Sequence, residues 1–95
     1  MGSLEAENKI AFITCIEIVL MRRGNVNYNL VLAKLKAQFS CGMDDCLDHP
    51  EYLKTVLKEV YKHDYNAVLD DISLETDKLT DIDKIKADFF KFMMS

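Results

Sequence analysis

The sequence predicts an all-α fold, a small orthogonal bundle of four to five short helices around a mixed aliphatic and aromatic core. Three observations lead there. In nearly every segment the apolar residues recur at the i, i+3, i+4 spacing of a helix rather than alternating as in a strand. The 95 residues hold one Pro, three Gly and no Trp, too few turn-formers for a β-sandwich. Apolar residues make up 49% and charged residues 29%, the balance of a chain that folds rather than stays disordered. A mass of 10.9 kDa leaves room for a single domain over residues 1–95, and a folded chain of that size exposes roughly 5,600 Å².

The first helix is expected from about Leu4 to Arg23. Ile10, Ile13, Ile16, Val19 and Leu20 should face the core, and Phe12, Cys15 and Ile18 widen the stripe. A helix apolar on most sides belongs at the centre. The β-branched content of residues 10 to 20 would also suit a strand; length and the i, i+3 pattern favour the helix. Residues 1–3 read as a cloning remnant or a flexible start. Met1-Gly2-Ser3 also matches the opening of a myristoylation signal, but Ala6 stands where that signal needs Ser or Thr.

Gly24 should end this helix, with Asn25 or Asn27 capping the next. The second helix, about Asn27 to Phe39, carries Tyr28, Val31, Leu32, Leu35 and Phe39 on one face. Gly42 suits the left-handed position beyond it. Cys41 to His49 is the longest expected loop. Asp48, Pro50 and Glu51 then form a helix start, with Asp48 as cap, Pro50 in the first turn and Glu51 three positions on. The third helix presents Tyr52, Leu53, Val56, Leu57, Val60 and Tyr61. Lys62-His63-Asp64 interrupts the pattern, and Asp64 can cap a fourth helix with Tyr65, Val68, Leu69 and Ile72 inward. Thr80 and Asp83 mark a last, amphipathic helix over residues 80–95, with Ile82, Ile85, Phe89, Phe92 and Met93 on one face and Phe90 and Met94 surplus to it.

The three cysteines, Cys15, Cys41 and Cys46, are an odd set, which suits reduced thiols and a cytoplasmic setting. The apolar run Ile10 to Met21 contains Glu17 and is too short to span a bilayer, so no membrane association is expected. The formal net charge is −4 and the isoelectric point about 5.0, without the overall basic field of a nucleic-acid binder. The charge is uneven, however. Between Glu17 and Asp44 there is no acid, while Arg22, Arg23, Lys34 and Lys36 all lie there. This asymmetry reads as solvated faces, as a basic patch for a partner, or as head-to-tail pairing between chains.

Candidate chemistries are few. Cys41, Cys46, His49 and His63 are zinc-type ligands, but the gap between the cysteines and the histidine spacing differ from those of a zinc finger. Asp44, Asp45 and Asp48 lack the central Gly and closing Glu of a calcium loop. Asp71-Ile72-Ser73-Leu74 departs from the adjacent Asp-Ser of acyl carrier proteins. There is no Gly-x-Ser-x-Gly, Walker loop or dinucleotide fingerprint. The chain therefore reads as a non-enzyme without a cofactor.

The layout resembles the small archaeal output domains called Nitrosopumilus output domain, class five. An apolar helix (Ile10 to Leu20) precedes a Tyr-x3-Leu-x2-Leu helix (Tyr28, Leu32, Leu35) and an acidic loop ending in Pro50-Glu51. A Leu-x3-Leu-x2-Val-Tyr helix (Leu53, Leu57, Val60, Tyr61) and an apolar helix (Val68, Leu69, Ile72) follow. Where the family places a Gly after the third helix, this chain has Lys62-His63-Asp64. The resemblance covers about residues 10–75 and implies a regulatory or protein-interaction role in an archaeal cytoplasm, with no catalytic residues.

The expected function is a non-catalytic protein-interaction or signalling-output module that self-associates. Phe89, Phe90, Phe92, Met93 and Met94 of the last helix form the candidate interface, because exposed Phe and Met mark such surfaces. The alternative is a DNA-associated regulator using residues 22–38, with Arg22, Arg23, Lys34 and Lys36 as the contact patch.

Overall fold

The computed structural model describes residues 2–80 and 82–94, with side chains from residue 7 onward. Its α-helices are α1 (Gly2–Arg22), α2 (Asn25–Phe39), α3 (Pro50–Tyr61), α4 (Tyr65–Thr76) and α5 (Asp83–Met93), with 3-10 turns at Met43–Asp45 and Lys62–Asp64. No strand occurs among the described residues. The all-α bundle expected from the periodicity is the fold observed. None of the described helices is long and apolar enough to cross a membrane.

The apolar stripes decide how the helices meet. α1 lies against α2 and α4, α2 against α3, and α5 against both α3 and α4. Phe12, Ile16 and Leu20 of α1 meet Val31 and Leu35 of α2, Leu53, Val56 and Leu57 of α3, and Val68 and Ile72 of α4 in one continuous core. Met43 and Cys46, from the expected loop, are buried in it as well. The accessible surface of 5748 Å² and radius of gyration of 12.6 Å match the roughly 5,600 Å² and about 12.4 Å of a well-packed chain this long.

α1 is central, as its composition predicts, but not apolar-covered all round. Ile10 is 65% exposed, and Thr14, Ile18 and Met21 continue its outward line. Two neighbouring helices cover only part of a cylinder, and that line lies beyond them.

Every expected helix start but that of α4 moves. α1 takes in Gly2 and Ser3, two residues placed outside it by the sequence reading. α2 begins at Asn25 rather than Asn27 because Gly24, at φ 129, turns the chain within two residues, a conformation strained for any side chain. α2 then stops at Phe39, whose ring stacks on Tyr52 at 4.3 Å. Ser40 (φ 54, ψ 38) takes the left-handed position expected of Gly42. The Ser40 and Cys41 amides donate back to the Lys36 and Leu35 carbonyls, closing the helix end. Gly42 has an extended backbone at φ −110, and a Cβ there would meet only the end of the exposed Asp44 side chain, at 2.9 Å from Oδ1.

The N-cap of α3 is His49, not Asp48. Proline excludes the helical conformation from the residue before it, so Pro50 must be the first helical residue and His49 (φ −131) the cap. Asp48 pairs instead with Lys9 at 3.6 Å. Asp64 does cap α4 in position, but without a side-chain bond, since the preceding 3-10 turn runs straight into the helix. The cap of α5 is Ile82 rather than Thr80; Ile82 is only 3% exposed and pins the helix start into the core.

Lys62 ends α3 at φ 52, ψ −117, where a side chain costs on the order of 1–3 kcal/mol. Lys62→Gly is expected to raise stability by about 1 kcal/mol after glycine's own chain-entropy cost. The urea midpoint should rise at constant m-value; a fall would show that the Lys62 backbone is unstrained.

Candidate functional site

The predicted interaction residues divide sharply once α5 is packed. Phe89 and Met93 are buried, at 3% and 1% exposure, and Phe90 is half-buried. Phe92 and Met94 reach solvent, at 38% and 70%. The predicted face is thus corrected at two positions, with Phe90 turned toward the core and Phe92 away from it. α5 touches two helices at once, which draws Phe90 inward. The Phe90 ring lies 5.2 Å from Phe89 and 6.5 Å from Phe12, both edge-on.

Polar contacts lock α5 in this rotation. The buried Tyr65 hydroxyl donates to the Met93 carbonyl at 2.7 Å, tying the end of α5 to the start of α4. Burial pushes the Tyr65 phenol up to about 12, so it remains a donor at any physiological pH. Lys54 donates to the Phe92 carbonyl at 3.3 Å, and its ammonium lies 5.2 Å from the centre of the Phe92 ring. Lys86 donates to the Ser73 carbonyl at 3.0 Å and bonds the Asp77 carboxylate, bridging α5 to α4.

Between α4 and α5 runs a groove of about 520 Å³. Leu69, Ala87, Phe90 and Met94 supply its apolar lining, and Asp70 and Asp83 also border it. Asp83, Ala87, Lys91 and Met94 are all exposed along the same side of α5.

The zinc-type residues do not converge. Cys46 is fully buried and its thiol donates to the Gly42 carbonyl at 3.7 Å. Burial, then the neighbouring Cys41, Asp45 and Asp44, push it up to about 12. Burial also raises Cys41 and Cys15, so all three thiols are protonated near neutrality and weakly nucleophilic. His49 stacks on Tyr52 at 4.8 Å at one end of α3, while His63 follows the other end. Fourteen residues of helical rise place them about 20 Å apart. Among the described residues no three His, Cys, Asp or Glu side chains gather as a metal-holding group.

The basic segment is largely turned upon its own chain. Arg22 Nη2 bonds Glu75 Oε1 at 3.0 Å, Arg23 Nε bonds Asp71 Oδ2 at 2.6 Å, and Lys34 Nζ bonds Glu59 Oε1 at 3.2 Å. Lys36 is exposed and makes no ion pair among the described residues. Much of the charge asymmetry therefore closes between the two halves of one molecule. Glu75 sits at the junction with its own side chain covered, between Arg22 and Lys78. Hydrogen bonds from Lys78 and Arg22 hold its carboxyl below the usual range, and bonds from Gln38 and Lys34 do the same for Glu59.

Sequence reasoning passed over Glu75. The one signal was its position, three residues after Ile72 and seven after Val68, on the apolar stripe of α4. It also passed over Glu17, which accepts a 2.6 Å bond from the Tyr28 hydroxyl. That bond, followed by burial, pushes Tyr28 up to about 12.

Compared with protein-family models, curated proteins and solved structures, the chain matches none of them. Fold and site together define an all-α bundle carrying a partly apolar groove beside an exposed helix ridge.

Proposed function

We propose that this chain is a non-catalytic protein-interaction module that self-associates through α5. The observation that carries the reading is the exposure of Met94, at 70%, beside the partly apolar α4–α5 groove, on a helix whose opposite side is anchored by Phe89 and Met93. An exposed methionine beside a partly apolar groove bordered by charged residues has the makeup of a protein interface. A regulatory or signalling-output role in an archaeal cytoplasm is the finer part of the proposal and rests on the family resemblance alone.

DNA binding by residues 22–38 has weaker support. Phosphate would have to displace Glu75, Asp71 and Glu59 from three of the four cations.

Met94→Asp is expected to weaken self-association about tenfold or more, because a carboxylate replaces an exposed apolar contact. Multi-angle light scattering over a concentration series should find the mass shifted toward one chain, with the circular dichroism of the folded state retained. A mass unchanged by Met94→Asp would exclude this ridge from the interface.

A further inference from the structure

The exposed side of α5 carries charges of both signs in a symmetric order. Asp83, Ala87 and Lys91 follow one another at four-residue intervals, forming one i±4 ridge of the helix. All three are exposed, and neither Asp83 nor Lys91 makes an ion pair among the described residues. The ridge has a small residue at its middle, an acid one turn before it and a base one turn after it. Phe90 and Met94 form the next ridge, along the groove.

Two identical helices that meet face to face can be related by a two-fold axis at their crossing. If the second helix is an identical copy running the opposite way, a two-fold axis through Ala87 sets each ridge against its own reverse. Position 83 then faces position 91 of the copy, and position 91 faces position 83. The small Ala87 side chain lets the two backbones approach at the crossing.

We propose that α5 pairs antiparallel with α5 of a second copy of this chain, crossing at Ala87, with Asp83 of each copy bonded to Lys91 of the other. This rests on the self-association reading and adds to it the partner face, direction and register. A parallel pairing would set like charges together at both ends, and an antiparallel slip that opposed Asp83 to Asp83 would set the two acids together. Exposed ion pairs contribute little affinity. The two pairs therefore select the register, while Phe90 and Met94 against the copy supply the apolar contact. The closed two-fold arrangement also uses the face once per chain and stops at a dimer.

Sedimentation equilibrium on Asp83→Lys, Lys91→Asp and their equimolar mixture tests the register. Each variant alone would oppose like charges twice, and its dimer should weaken about tenfold or more. In the mixture, the chain with lysine at 83 and 91 meets a chain with aspartate at both, so two attractive pairs form. The mixture should regain the wild-type dissociation constant within about threefold, and lose that gain as salt screens the pairs. The mixed-dimer readout compares folded chains only, with circular dichroism confirming that each variant is helical. A dimeric wild type whose mass the single variants leave unchanged, or whose mixture shows no recovery, would overturn this register and leave self-association standing. A wild-type chain monomeric at every concentration would overturn the self-association reading itself.

Discussion

Phe89→Asp is expected to leave the chain unfolded in plain buffer at room temperature. Phe89 is 3% exposed, with its ring 5.1 Å from Phe12 and 5.2 Å from Phe90. Removing a buried phenylalanine ring costs about 3–5 kcal/mol, and burying an unpaired carboxylate in its place costs several more. A domain of this length has about 5–14 kcal/mol in all, so the two losses together consume most or all of it. Far-ultraviolet circular dichroism should lose its helical signal. A cooperative melt near the wild-type temperature would place Phe89 outside the core. Set beside Met94→Asp, which should keep the fold and change only the mass, this variant separates the packing side of α5 from its exposed side.

Phe12→Ala should be the most damaging simple truncation in α1, lowering stability by about 3–5 kcal/mol. Phe12 is fully buried and meets both Phe89 and Phe90 edge-on, so its loss removes the aromatic contact between the first and last helices. In a chain this short each kcal/mol moves the melting temperature by about 4–8 °C, which predicts a fall of roughly 12–40 °C. Differential scanning calorimetry reads this directly. A fall under about 5 °C would mean that the aromatic cluster contributes little.

The fold was legible in the sequence because the apolar periodicity of α3 and α4 is the packing pattern itself. Leu53, Val56, Leu57, Val68, Leu69 and Ile72 are all buried where the spacing puts them. The helix starts were less legible, because cap chemistry is only one of several constraints on a turn. Asn27, Asp48 and Thr80 could each have capped a helix; Gly24, His49 and Ile82 occupy those positions without any side-chain cap bond. The backbone reversal at Gly24, the restriction before Pro50 and the burial of Ile82 decided the matter.

The candidate interface was half legible. Composition singled out the last helix, but which of its aromatics stay exposed depends on α3 and α4 flanking it at once, which no local pattern records. The pairing of the basic segment was not legible at all. Arg22 meets Glu75 across 53 positions and Arg23 meets Asp71 across 48, and single-sequence periodicity carries no information at that range. Reading residues 22–38 as a contact patch followed from charge alone, without the acids that the fold delivers to it.

Those same separations bear on how the molecule assembles. The neighbours α1 and α2 are joined by a two-residue turn, and α2 and α3 by ten residues that include a 3-10 turn. The docking of α1 on α4, by contrast, must close a loop of about half the chain. Ring closure grows costlier with contour length by about 0.6 kcal/mol per doubling, so the entropic toll of assembly is greater for the α1–α4 docking, and for the Phe12 contact with α5, than for the neighbouring pairs. Neighbouring pairs can meet through local encounters, whereas returning the chain's opening helix to its fourth and fifth requires the longest closures, a topology that slows folding.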